Sequence, residues 1–141
     1  MSQPLPLLCP SAQPEMHGVR LLGVITAADE GPSLAYLRDD VPVTDELLAQ
    51  AEPAHPTEVF RFAAQCEEKR CTHFNGERCK LASRIVHFLP AVVDALPTCR
   101  IRSSCRWFRQ EGRDACFRCP QVVTESTNAS PEFQRAALPQ D

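Results

Sequence analysis

Cys99-Arg-Ile-Arg-Ser-Ser-Cys105-Arg-Trp107-Phe108-Arg-Gln-Glu-Gly112-Arg-Asp-Ala-Cys116-Phe-Arg-Cys119-Pro120 is the stretch on which the rest of the chain turns. An earlier stretch, Cys66-Glu-Glu-Lys-Arg-Cys71-Thr-His73-Phe74-Asn-Gly76-Glu-Arg-Cys79, follows the same plan. In each, a cysteine is followed by a second after four or five residues, then by a phenylalanine, a glycine and a third cysteine. His73 falls where Trp107 falls, and Cys119 has no counterpart in the first copy. Two copies are too few for a solenoid, so the pattern reads as a duplicated, ligand-bearing loop.

The chain has 141 residues, one domain's worth, and 13 prolines interrupt nearly every candidate element. No helix is expected to exceed about three turns, so the core is small and needs staples. The eight cysteines are the evident ones. Met1 to Pro10 has no basic n-region and its apolar run is broken by proline, which does not read as a signal peptide. No later stretch approaches a membrane span. The expectation is a cytoplasmic protein, where a reducing environment makes cysteines metal or redox ligands before disulfides.

Spacing bears on the metal. Zinc–sulfur bonds of roughly 2.3 Å bring four sulfurs within about 4 Å of one another, which favours paired C-x2-C knuckles. Cys116 and Cys119 are the one such pair. An iron–sulfur cube is wider and accepts cysteines from several directions. Cys99, Cys105, Cys116 and Cys119 are therefore read as ligands of a four-iron four-sulfur (4Fe-4S) cluster, with zinc as the alternative. Cys66, Cys71 and Cys79 are read as ligands of a second cluster or metal, with His73 as a fourth ligand or a packed ring. Spacing alone does not fix which cysteines share a site. Cys9 reads as a small buried or free thiol, and His87 as a solvated side chain.

Charge is segregated. Residues 1–60 carry a net −7, residues 61–118 a net +6 and residues 119–141 a net −2. Arg100, Arg102, Arg106, Arg109, Arg113 and Arg118 lie among the second set of cysteines, and cations there lower the cost of a negative cluster and raise its potential. They also read as a solvated basic face, or as a contact surface for an acidic protein partner such as a redox enzyme. Nucleic acid, with Trp107, Phe108 or Phe74 stacking on bases, is the less favoured partner because the acidic N-terminal part opposes it.

The fold class expected is α+β: a small metal-stabilised domain of short strands and helices with a duplicated cysteine-bearing loop. Residues 1–56 form a scaffold or docking segment, 57–123 the cysteine-rich metal module and 124–141 a disordered tail. Residues 1–17 read as irregular. Gly18–Thr26 and Ser33–Leu37 read as a hairpin turning at Asp29-Glu-Gly-Pro32. Thr44 caps a short helix that stops near Pro53. Thr57–Ala63 reads as a strand, and residues 79–89 as a helix with an apolar stripe of Leu81, Ala82, Ile85, Val86 and Leu89. Ser103 or Ser104 caps a helix ended by Gly112, and Val122 and Val123 read as a last strand.

The close Cys116-Phe-Arg-Cys119-Pro120 resembles the cysteine–proline ending of ferredoxin-type cluster motifs, although the C-x2-C-x2-C-x3-C run is absent. Phe60-Arg-Phe-Ala-Ala, Cys99-x-Ile101-Arg102-x2-Cys105-Arg-Trp107-Phe108 and Cys116-x2-Cys119-Pro120-x-Val122-Val123 are similar to small cysteine-rich bacterial proteins grouped under a nitrogen-fixation label. That resemblance covers under half the chain and implies a bacterial, cytoplasmic, metal-binding protein. The function expected is an iron–sulfur protein that passes electrons to, or assembles with, a partner enzyme. Two alternatives stand beside it: a zinc-binding adaptor for protein or nucleic acid, and an iron–sulfur sensor or catalyst with an open iron. No phosphate loop, dinucleotide fingerprint or nucleophile–base array points to another enzyme.

Overall fold

Four antiparallel strands in the order β1-β4-β2-β3 carry the molecule. The computed structural model describes residues 7–28, 31–67, 74 and 78–124. Along the chain come β1 (Leu8–Ala12), β2 (Arg20–Ala28), β3 (Gly31–Pro42), α1 (Asp45–Ala49), α2 (Pro56–Val59) and β4 (Phe60–Gln65). Then follow α3 (Lys80–Phe88), α4 (Arg106–Glu111) and α5 (Arg113–Cys116), with 3-10 turns at Arg102–Ser104 and Cys119–Gln121. This is a small mixed α+β fold.

The expected hairpin is present: its first strand begins at Arg20 rather than Gly18, both strands run further toward the turn, and the second continues to Pro42; Asp29 and Glu30 of the expected turn lie outside the described residues. The expected Thr44 cap also forms, its side-chain oxygen accepting from the Leu47 amide at 3.2 Å. The α3 stripe holds as well, with Ala82 and Ile85 buried. Four expectations need correction. Residues 1–17 are not irregular throughout, since Leu8–Ala12 pairs with β4. Proline suits such a strand because β1 is an edge of the sheet, where a missing N–H costs no ladder bond. Thr57–Ala63 is not all strand. Pro56 opens a helical turn, the His55 amide donates to Glu58 Oε2 at 3.2 Å, and pairing begins only at Phe60. The cap position of α4 is Cys105 rather than a serine, while Gly112 ends that helix at φ 71 as expected. Val122 and Val123 are buried but follow a 3-10 turn instead of forming a strand.

Every residue of β4 from Phe60 to Ala64 is buried, so the sheet is covered on both faces. On one face Phe60, Phe62 and Ala64 meet Ala12, Leu21 and Ala51, with Leu47 and Leu48 of α1 packed alongside. On the other, Ala63 and Leu22 meet Ile85, Leu89, Ile101, Trp107, Ala115 and Val122. The second core contains Cys79, Cys105 and Cys119. β4, from the cysteine-rich part of the chain, lies between β1 and β2. The hydroxyls of Ser11 and Thr124 are hydrogen-bonded at 2.7 Å, fixing the last described residue to β1.

Candidate metal centre

Each cysteine of the second set is placed by a different device. Cys99 is held through its neighbour: the Arg100 guanidinium donates to the Leu21 carbonyl at 2.6 Å and to the Asp39 carbonyl at 3.1 Å. Its contact with Asp40 adds an ion pair at 3.7 Å. Cys105 bridges to Leu8 of β1 and opens α4, where the amides of Trp107 and Phe108 face its sulfur. Cys116 ends α5, within hydrogen-bonding reach of the Arg102 side chain. Cys119 begins the final turn. That turn is tied to the segment after α3, because Arg118 Nε donates to the Leu89 carbonyl at 2.8 Å and Gln121 Nε2 to the Pro90 carbonyl at 2.7 Å.

The four thiols line one cavity of ≈ 20 Å³. Leu22, Tyr36, Pro97, Ile101, Trp107 and Phe108 also line it. A bulge on β2 explains Leu22, because Leu21 pairs with Phe62 and Gly23 with Arg61. Leu22 is left as the extra residue and is 1% exposed. Two N–H groups at this cavity lack acceptors among the described residues, Trp107 Nε1 and Arg102 Nε. Buried donors without partners are rare and call for an unseen acceptor.

Burial holds three of these thiols, Cys99, Cys105 and Cys116, toward the neutral form. Burial pushes Cys105 up to about 12, against the pull of its facing amides, and the proximity of Cys119 and Cys99 adds to the rise. Burial likewise raises Cys99 and Cys116, with Cys119 adding to each and Arg102 opposing it. A bound cation is what would take protons from such a set.

Arg61 is the residue that sequence reasoning missed. It is 0% exposed, and no carboxylate pairs with it among the described residues. Nε and Nη2 donate to the Pro10 carbonyl at 2.9 and 2.7 Å. Nη1 donates to the carbonyls of Cys119 at 2.8 Å and Val122 at 3.0 Å, and Nη2 also reaches Cys119 Sγ at 3.3 Å. The guanidinium lies 5.7 Å from the centre of the Trp107 ring. One signal was available: an arginine between two phenylalanines in an otherwise apolar strand. Tyr36 was missed too. Burial and the adjacent Cys119 sulfur push its hydroxyl well above the ordinary phenol range.

The first set is described only at its ends. Cys66 is half-buried just past β4, its amide donating to the Leu7 carbonyl at 2.8 Å. Cys79 is buried at the cap of α3. The Gln110 side chain clamps it, accepting from its amide and donating to its carbonyl, both at 2.8 Å. Cys71, His73 and Gly76 lie outside the described residues, as does the chain beyond Thr124. Cys9, on β1, is half-buried. His87 is exposed against the edge of Phe88.

The arginines divide. Arg100 and Arg118 are staples within the fold, Arg102 donates to the Pro97 carbonyl, and Arg106 lies 5.3 Å over the Phe74 ring. Arg109 and Arg113 are exposed. Among the described residues no three or more His, Cys, Asp or Glu are grouped to hold a single metal ion, and no helix is long and apolar enough to cross a membrane. Compared with known proteins, the chain matches no family model, no curated protein and no solved structure.

Proposed function

We propose that the chain is an iron–sulfur protein in which Cys99, Cys105, Cys116 and Cys119 hold a 4Fe-4S cluster and exchange single electrons with a partner protein. One observation carries this reading: four thiols set along twenty-odd residues of chain converge on one cavity. The partnerless N–H groups of Trp107 and Arg102 fit the same chemistry, since thiolate and sulfide are acceptors. The cluster would supply one-electron chemistry. The protein's part is to ligate it, exclude water with Leu22, Ile101 and Trp107, and donate hydrogen bonds to its sulfurs. Cys66, Cys71 and Cys79 would hold a second cluster or metal. Exposed Arg109 and Arg113 favour an acidic partner, and exposed Val92 and Leu96, on the segment leading to Cys99, give it an apolar landing.

A zinc-stabilised adaptor is the second reading: the void is nearer the size of one ion than of a cluster, although no three of the thiols are grouped to hold one among the described residues. A cavity of ≈ 20 Å³ has room for about one water or one ion, so a cube requires the lining side chains to draw back. Substitution separates the two. In protein purified without oxygen, Cys99→Ser, Cys105→Ser, Cys116→Ser and Cys119→Ser should each lose iron, sulfide and violet absorption together, while Cys9→Ser keeps them. Loss of zinc alone from the same four variants would establish the adaptor. Retention of full metal in any two of the four would remove this ligand set.

A further inference from the structure

One wall of the thiol cavity is held differently from the rest. Leu22 and Tyr36 reach the cavity from strands, and Trp107 and Cys116 from helices. Pro97 reaches it from the connection between α3 and the turn at Arg102–Ser104, which forms no helix or strand. The two ends of that connection are fixed. Leu89 is buried in the core, and Arg100 is bonded to the carbonyls of Leu21 and Asp39. Between them, residues 90–98 are all exposed or half-buried, with Val92 and Leu96 among the exposed. Burial therefore does little to keep this segment in place.

Hydrogen bonds hold it instead, and most come from side chains. Among the described residues, the Val92 amide donates to the Phe117 carbonyl at 2.9 Å. Gln121 Nε2 donates to the Pro90 carbonyl at 2.7 Å, and the Arg102 guanidinium donates to the Pro97 carbonyl. At the first fixed end, Arg118 Nε donates to the Leu89 carbonyl at 2.8 Å. Each such bond contributes little net stability, so releasing the segment costs far less than unfolding the sheet and its two cores.

We infer that residues 90–98 are a strap over the thiol cavity, and that it opens locally while the sheet and helices stay folded. Leu89 and Arg100 are its hinges. The closed cavity of ≈ 20 Å³ admits nothing much larger than a water or an ion. Lifting Pro97 removes one wall and gives a larger solute a way to thiols that are otherwise sealed, such as Cys105 at 8% exposure. This inference does not depend on what the four thiols hold.

The test uses the full chain purified without oxygen and treated, while folded, with N-ethylmaleimide. Labelling of Cys105 is followed by mass spectrometry from zero to low urea, at equal metal content in every protein compared. Cys105 is the reporter because neither substituted residue adjoins it in sequence. Local opening exposes little surface, so the wild-type rate is expected to be nearly independent of urea. Gln121→Ala removes one strap bond and is expected to raise that rate roughly two- to tenfold, again without urea dependence. Arg118→Met, which frees the Leu89 carbonyl, is expected to act in the same direction and decides if the first variant does not fold. A wild-type rate that climbs with the full slope of global unfolding overturns the inference. So does a rate that neither variant raises, since Cys105 would then be reached by another route.

Discussion

Glu111 shows how single side chains hold the two cysteine-bearing stretches together. Its carboxylate accepts from Arg78 at 2.7 Å, Ser83 Oγ at 3.1 Å and Gln110 Nε2 at 2.9 Å. Burial opposes its ionisation, but the bonds from Gln110, Ser83 and Arg78 together outweigh it and hold the carboxyl below the usual glutamate range. The folded protein then binds fewer protons than the unfolded chain through the acid range. The contribution is fully present above the unfolded value of about 4.3 and fades as pH falls through the lower folded one. Glu111→Gln should cost about 1 kcal/mol at neutral pH, and its stability should fall less steeply than wild type below about pH 4. Urea unfolding across that range checks it, and parallel curves would contradict it. This scale was the least legible in the sequence. Arg61 and Arg84 read as ordinary basic residues, and only the packing of β4 and α3 shows them buried.

At the scale of elements, signals local to the chain were readable and those set by pairing were not. Thr44 with two acidic residues after it, the apolar stripe of α3 and Gly112 each act within a turn or two of themselves. The strand β1 depends on a partner some fifty residues away and contains Pro10, so nothing local marks it. The prolines of the sheet, Pro10, Pro32 and Pro42, all lie on the edge strands, and central β2 and β4 have none. A sequence cannot show which strands are edges. The β2 bulge is likewise a matter of register, and it delivers Leu22 to the cavity. Gly23→Ala sets a Cβ 2.5 Å from the Ala35 carbonyl oxygen and 2.8 Å from Leu34 Cδ1. It should destabilise by about 1–3 kcal/mol, read as a lowered urea midpoint with an unchanged slope. A midpoint equal to wild type would show that the hairpin yields there at no cost.

For the molecule as a whole, a two-sided sheet explains how so short a chain builds an enclosed site. One face is closed by α1 and ordinary apolar packing. The other is closed by α3, α4, α5 and the final turn, and that core contains three of the cysteines. Cys99, Cys105, Cys116 and Cys119 were legible as one set of candidate ligands from their shared stretch, although spacing did not fix that they lie at one cavity. Their surroundings were not, since Pro10, Leu22, Tyr36 and Arg61 come from four different strands. The central claim is that these four thiols enclose an iron–sulfur cluster. Iron, acid-labile sulfide and zinc per chain, measured on protein expressed and purified without oxygen, test it most directly. The account predicts about four iron with matching sulfide for this site, more if the first set is also loaded, and a broad violet absorption. One or two zinc per chain with no sulfide and no colour would contradict it.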